Sequence, residues 1–513
     1  MSLINPPQSE RDVRFCAIST DVLEDLKFPI PLKDAQIYIT ADRDTILFRQ
    51  ELFKNILDFP ETAVLLESVG EKAADLADMT LKNPESASLT NEQLLYSFKE
   101  LTVFIDLVDY AVEKYDAVKK NVTSTAIKSF FEAIIEIGAS EDFEYAKRGV
   151  ALINENMNSI RSVTVGVNLD AQLSVTEIGL VAINDRPYVS DTKLDKLLRK
   201  VNPGEDFHTI AVLGARETGG LTGKTALQFD TVFYHAMNNV VKNLIRNTKK
   251  LFTSKIHSDF RTISMNAEDI NFITAASKYM LSLKKTGMKL TFPNVAETSN
   301  GYATELMTPN LLDKMPRHEI VASDIRFDEN GRVFILTGPN SGGKSVFLQA
   351  VGIAQIMFQM GLPVAAESAE LSICGEVLTH FNKSLSNSIE SRLVNETKRL
   401  KAILDKTTAD SLLLFDETLS STSAYDAVIL ADGVLRHIQK TGCKCVYATH
   451  LHELAVGYKK LNSDGVKSKV DVLNSSIENG VRSFKIKRAE AGDIQSSYAK
   501  DIFVEYGLDF LFE

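Results

Sequence analysis

The chain has 513 residues, 44% of them hydrophobic and 24% charged, and carries a formal net charge of −11. This composition is that of an ordinary soluble globular protein, long enough for more than one domain and several cores. The acidic balance opposes unselective adhesion to nucleic acid, so any DNA contact has to come from a local basic surface.

The first ten residues lack the basic start and apolar run of a leader, and no segment reaches the ~20 apolar residues that cross a bilayer. A cytoplasmic protein, neither exported nor membrane-embedded, is expected. Cys16, Cys374, Cys443 and Cys445 have neither the number nor the spacing of a disulfide framework or a paired zinc site. Reduced thiols packed as small apolar groups are expected.

From Asp42 to about Lys289 the dominant period is helical. Leu94, Phe98, Leu101, Ile105, Val108, Val112 and Tyr115 alternate by four and three, drawing one apolar seam along a helix that suits a bundle core. Between about Ser159 and Gly223 the pattern changes, with strand-like runs at Ser162–Val167 and Thr209–Leu213 and turn-rich sequence around them. Gly219 to Thr225 imitates a phosphate loop, but Thr218 stands where the first glycine is required, so it is set aside. A helical stretch then runs from about Thr225 to Lys255, breaks near Ser258 and resumes from Asp269 to Lys285. Lys242, Arg246, Lys249 and Lys250 share one face of it, a solvated stripe that could also follow a phosphate backbone. These patterns divide the chain into an N-terminal segment 1–41, a mainly helical domain 42–288 with a small mixed insert at 158–223, and an α/β domain at 289–513.

In that last region strands at Arg332–Thr337, Ser411–Phe415, Cys443–Ala448 and Arg482–Ile486 alternate with helices such as Val346–Met360 and Ser423–Lys440. The alternation predicts a mostly parallel sheet with its ligand at the strands' carboxyl ends. Between the first strand and helix lies Gly338-Pro339-Asn340-Ser341-Gly342-Gly343-Lys344-Ser345. Its glycines let the backbone turn tightly and aim N–H groups at phosphate oxygens, and the helix start adds positive charge. Lys344 would neutralise the outer phosphates, and the Ser345 hydroxyl would complete the shell of a magnesium ion. A bound nucleoside triphosphate, ATP with Mg2+, is expected. The apolar strand Leu412–Phe415 ends in Asp416 and Glu417: Asp416 would hold the metal through its water shell, and Glu417 would orient and deprotonate an attacking water. His450, after a third strand, would hydrogen-bond the terminal phosphate and report its loss. His452 is read as a bystander.

These residues carry a resemblance. The loop Gly338 to Ser345, the pair Asp416-Glu417, Thr422-Ser423-Ala424-Tyr425-Asp426 and Tyr447-Ala448-Thr449-His450-Leu451-His452-Glu453-Leu454 resemble the ATPase domain of the MutS family, in the ABC-type ATPase class. Pro363 to Glu370, Ser497-Tyr498-Ala499 and Tyr506-Gly507-Leu508 agree with it. The region Asp42 to Lys289 is similar to that family's core and lever domain. The resemblance implies an α/β P-loop ATPase domain of ABC type preceded by a helical core and lever domain. It also implies DNA as a partner and a homodimer through the ATPase domains, in which Ser391 would complete the ATP site of the other subunit. In this chain Ser341 and Val346 stand where the family usually has Met and Thr, Leu419-Ser420-Ser421 where it has Gly-Arg-Gly, and Arg392-Leu393 where it has Thr-Phe. The chain enters the helical region after about forty residues without a Phe-x-Glu element, so structured or branched DNA, rather than a mismatch, is the expected substrate. The competing expectation is an ATP-gated scaffold that recruits a protein and no DNA.

Overall fold

Helical periodicity becomes a run of helices through the first half of the chain. In order they are α1 (Thr20–Leu26), α2 (Arg43–Asp58), α3 (Glu61–Lys82), α4 (Asn91–Val118), α5 (Thr125–Gly138) and α6 (Glu141–Asn158). A hairpin follows, β1 (Ser162–Leu169) and β2 (Val175–Asn184), then α7 (Ser254–Ser264) and α8 (Ala267–Lys285). The molecule is represented by a computed structural model that describes residues 2–7, 14–82, 91–158, 161–173, 175–187, 254–339, 342–382, 392–462, 465–478 and 481–489. It divides into two units: Met1–Glu67, Val118–Ser129 and Asp269–Glu513 form one, Ser68–Ala117 and Phe130–Glu268 the other.

In the second unit the expected seam on α4 lies inside. Phe98, Leu101, Ile105, Val108 and Tyr115 are buried and Val112 is half-buried; the Leu94 side chain lies outside the described residues. Aromatic contacts join the helices: Tyr115 stacks on Phe131 at 4.6 Å, and Phe104 meets Phe143 at 5.9 Å and Phe260 at 5.5 Å. The β1 strand pairs antiparallel with β2, Ser162 opposite Asn184. Thr209–Leu213, the Gly219–Thr225 imitation and the Lys242–Lys250 stripe lie outside the described residues. The break expected near Ser258 falls instead at Met265 and Asn266, between α7 and α8. Ser258 is tolerated inside α7, where its carbonyl accepts the Thr262 hydroxyl at 2.9 Å. Asn266 ends that helix by donating its amide to Thr262 O at 2.7 Å, as a side chain that competes for backbone groups does.

In the first unit the remaining elements are β3 (Asn294–Val295), β4 (Gly301–Leu306), β5 (Ser323–Phe327), β6 (Val333–Thr337), α9 (Lys344–Gln359), β7 (Ser368–Leu371) and β8 (Glu376–Phe381). They continue as α10 (Arg392–Lys406), β9 (Ser411–Asp416), α11 (Ala424–Thr441), β10 (Lys444–Ala448), α12 (His452–Gly457), β11 (Val470–Glu478) and β12 (Val481–Arg488). Six strands form one sheet in the order β12-β11-β6-β10-β9-β8. All neighbours are parallel except β12 against β11. Strands β6 and β10 are buried at every residue, which is why they are mainly apolar and need cover on both faces. Val333, Ile335, Leu413, Phe415, Tyr447 and Val472 pack on one side with Ala427, Ala431, Leu435 and Ile438 of α11. On the other side α9 lies so close that a Cβ at Gly352 would come within 2.5 Å of Leu26 and 2.9 Å of Leu414. A second sheet, β3-β7-β4-β5, stands beside the first.

The N-terminal residues are built into this unit. Arg49 of α2, fully buried, donates to Ile4 O at 2.9 Å and to Tyr38 O, and burial lowers its guanidinium to about 10. Asp269 of α8 accepts the Ser2 hydroxyl at 2.7 Å and the Leu3 N–H at 3.1 Å. Asp25 accepts from Thr379 of β8 at 2.7 Å. Among the described residues no helix is long and apolar enough to cross a membrane.

Candidate functional site

Strand β6 ends at Thr337 and α9 begins at Lys344, so the loop between them sits at the carboxyl edge of the six-stranded sheet. Two of its glycines are demanded by space. A Cβ at Gly338 (φ +144°) would stand 2.7 Å from Ser475 Cβ, and one at Gly342 would stand 2.8 Å from Pro339 O and 2.9 Å from Ser475 Oγ. Ser475 of β11 donates to Gly342 O at 2.6 Å, closing the loop from the neighbouring strand. Gly343, at φ +88°, begins α9 with no side chain capping it, which leaves the first-turn N–H groups open to an anion.

Lys344 points back into the loop, its ammonium donating to Gly338 O at 3.0 Å and Pro339 O at 2.9 Å, 3.5 Å from His450 Nδ1. Burial pushes this ammonium below its ordinary range, against the pull of Glu417 and Asp416. Asp416 ends β9. Burial pushes its carboxyl up, Glu417 adding to the shift while a hydrogen bond from Ser345 opposes it. Its Oδ1 is buried and finds no hydrogen-bond partner among the described residues. Glu417, one residue on, adopts a left-handed backbone at φ +52°, its N–H donating to Ala448 O at 3.0 Å. The Glu417 carboxylate meets His450 Nε2 at 2.5 Å.

Four elements, β6, α9, β9 and β10, therefore bring Gly338, Pro339, Gly342, Gly343, Lys344, Ser345, Asp416, Glu417 and His450 to one edge. Asn340, Ser341 and Ser391 lie outside the described residues, as do Ser497–Ala499 and Tyr506–Leu508. His452, read as a bystander, pairs its Nδ1 with the Thr337 hydroxyl at 3.1 Å. Beside the loop opens a cavity of about 480 Å³, lined on its apolar side by Leu306, Val321, Phe484 and Ile486. Phe484 is itself left-handed at φ +55°.

Sequence reasoning missed Ser475, Phe484 and a set around the turn after Glu417. There Thr418 Oγ1 meets His380 Nδ1 at 3.0 Å, Tyr447 donates to Thr418 O at 3.2 Å, and Glu396 accepts the Leu419 N–H at 2.6 Å. Tyr447 and Leu419 lie in segments already compared with the family, but the contacts themselves have no sequence signature, because each residue acts through a neighbour distant in sequence. The assembled edge offers N–H groups and an ammonium for an anion. It also offers carboxylate and hydroxyl oxygens for a hard cation, and a carboxylate–imidazole pair able to hold a proton.

Similarity to known proteins covers this part of the chain. Residues 334–501 match the family model described as MutS domain V. A DNA mismatch repair protein MutS from Clostridium kluyveri is 25% identical over 481 residues, covering 90% of this chain and 51% of the relative. Another from an Exiguobacterium species is 26% identical over 344 residues, 66% of this chain and 37% of its own. An Endonuclease MutS2 from Staphylococcus carnosus is 32% identical over 257 residues, 47% of this chain and 30% of its own. The chain spans about half the length, or less, of these curated relatives.

Proposed function

The chain is a member of the MutS family, and from that premise we propose that it binds ATP with magnesium at this sheet edge, hydrolyses it, and uses the cycle to control a grip on structured or branched DNA. The observation that carries the reading is the buried Asp416 Oδ1, which has no hydrogen-bond partner among the described residues and stands with the Ser345 hydroxyl and Lys344 beside it. Hard divalent ions take oxygen ligands of this kind, so the residues fit a magnesium ion held by Ser345 and Asp416. Bound there, the ion would neutralise charge on the β and γ phosphates.

Lys344 leaves the carbonyls of Gly338 and Pro339 for the phosphates, exchanging two neutral acceptors for charged ones. Gly338, Pro339, Asn340, Ser341, Gly342 and Gly343 supply the backbone cradle, with Ser475 bracing it. Glu417 takes a proton from water, and His450, hydrogen-bonded to it, holds that carboxylate in place and responds to loss of the terminal phosphate. The apolar cavity next to the loop suits the base and sugar. A P-loop ATPase fold of ABC type accounts for the parallel sheet with the loop at its carboxyl edge. In this reading residues 42–288 form the core and lever domain and residues 289–513 the ATPase domain. Two such ATPase domains form a homodimer, each site completed by Ser391 of the other copy. The described cysteines, all unpaired, suit the cytoplasm.

ATP turnover measured with and without duplex, branched and single-stranded DNA tests the proposal. Stimulation by branched DNA that fades steeply between low and moderate salt supports phosphate contacts. Indifference to every nucleic acid at low salt points instead to the protein scaffold, the reading that the net charge of −11 favours. Absence of any calorimetric heat with ATP and magnesium overturns both.

A further inference from the structure

Two consecutive odd residues flank Thr418: Glu417 at φ +52° and Leu419 at φ +69° are left-handed although neither is glycine. Such a backbone persists only where its surroundings over-determine it. Strands supply most of the restraint. Ala448 O accepts the Glu417 N–H at 3.0 Å, Tyr447 and His380 hold Thr418, and Asn382 donates to Ser420 Oγ at 3.1 Å. The remaining hold comes from a helix. Glu396, in the second turn of α10, takes the Leu419 N–H on Oε1 at 2.6 Å and the Ser421 hydroxyl on Oε2.

One carboxylate thus spans the turn that begins at Glu417, and bonds to a charged acceptor are the stronger kind. The helix that carries it has a modest apolar anchor: among its described side chains only Leu400 is buried, Ile403 and Leu404 pack part-buried against the same core, and Arg399 adds a bond to Phe381 O at 3.2 Å. A helix with so little burial belongs to the readily displaced part of a structure, whereas the strands beneath it are core.

We propose that Glu396 is a positioning residue: its two-armed bond to Leu419 and Ser421 makes the placing of the Glu417 carboxylate depend on where α10 sits. The proposal rests on the ATPase reading above only in naming what Glu417 does. Movement of α10 then reaches the site of water activation through two hydrogen bonds, without passing through the sheet.

The test compares the full chain with its Glu396→Ala, Glu396→Gln, Ser421→Ala and Glu396→Ala/Ser421→Ala variants, by amide hydrogen exchange over residues 417–422 and by ATP binding and turnover. Glu396→Ala is expected to speed exchange there by about 10-fold. It should lower kcat by about 10-fold to 100-fold, the usual effect of a misplaced catalytic group, and leave ATP affinity within about threefold. Glu396→Gln, which keeps an oxygen for the Leu419 N–H, should recover most of both. Ser421→Ala should have a smaller effect in the same direction, and the double variant should be no worse than Glu396→Ala. Unchanged exchange at 417–422, or losses from the two single variants that multiply in the double, overturns the proposal. Failure of the parent to bind ATP would overturn the ATPase reading instead, and exchange alone would then decide the role of Glu396.

Discussion

The two ends of the central strands are built on opposite principles. At the amino ends polar groups are sealed and satisfied. Lys444 is buried yet donates to Ser372 Oγ at 2.5 Å and lies 5.7 Å over the Phe327 ring. Cys443 nearby has its thiol raised to about 12 by burial, and a thiol kept protonated is a poor nucleophile. At the carboxyl ends the reverse holds: Asp416 has a buried oxygen without a partner among the described residues, Lys344 is desolvated, and Glu417 and Leu419 hold costly backbone angles. One sheet therefore separates stability from chemistry along the length of its strands. Unsatisfied polarity and strain gather where a ligand would relieve them.

The sharpest way to break this contrast is Glu417→Gln. Turnover should fall by about 100-fold to 10,000-fold, the span of a lost general base, while calorimetric ATP affinity stays within a few-fold. Normal turnover would remove Glu417 from the chemistry. Next comes Lys344→Ala, expected to weaken ATP binding by about 100-fold, close to 2.7 kcal/mol, without lowering the melting temperature, since it removes a desolvated charge. A protein that melts much earlier would make Lys344 a structural residue. At the sealed end Lys444→Ala should cost about 2–4 kcal/mol in denaturant unfolding, through a cavity and an abandoned Ser372 hydroxyl. Its kcat per folded molecule should not change; a lowered kcat would dissolve the division between the two ends.

The smallest effect concerns the sheet edge. Burial alone would raise the Asp328 carboxyl, but Arg488 and the N–H groups of Asn330 and Gly331 hold it below its ordinary range. Arg488 reaches Asp328 at 2.9 Å and also pairs with Asp471. A depressed acid contributes stability above its unfolded value and loses it as pH falls through the folded one. Asp328→Asn should therefore cost about 1–2 kcal/mol near pH 7. The gap to the parent should close below about pH 4, the ordinary carboxylate range, in urea unfolding followed across pH. A gap that widens in acid would reverse the assignment.

The sequence made the site legible where chemistry and local geometry coincide. Gly338 to Ser345 are contiguous and need their glycines, and Leu412–Phe415 is an apolar run that could only be an interior strand before Asp416. Helix ends and strand limits followed within a residue or two for the same reason. What stayed hidden acts across the fold. Ser475 braces Gly338 and Gly342 from a strand more than a hundred residues away, and Glu396 reaches Leu419 from another element. The break misplaced at Ser258 shows the same limit, since a serine's effect on a helix depends on which backbone group its neighbours claim. The burial of Leu3 and Ile4 beside Arg49 and Asp269 had no sequence signal, because a buried arginine is visible only once its partners surround it.

That N-terminal attachment bears on how the protein is made. Asp25 waits for Thr379, 354 residues later, and Ser2 for Asp269, 267 residues later. At about 5–20 residues per second on the ribosome, the first of these delays lasts on the order of tens of seconds. The segment around Asp25 is therefore synthesised long before the strand that holds it, which gives nascent-chain chaperones a long opportunity to bind it.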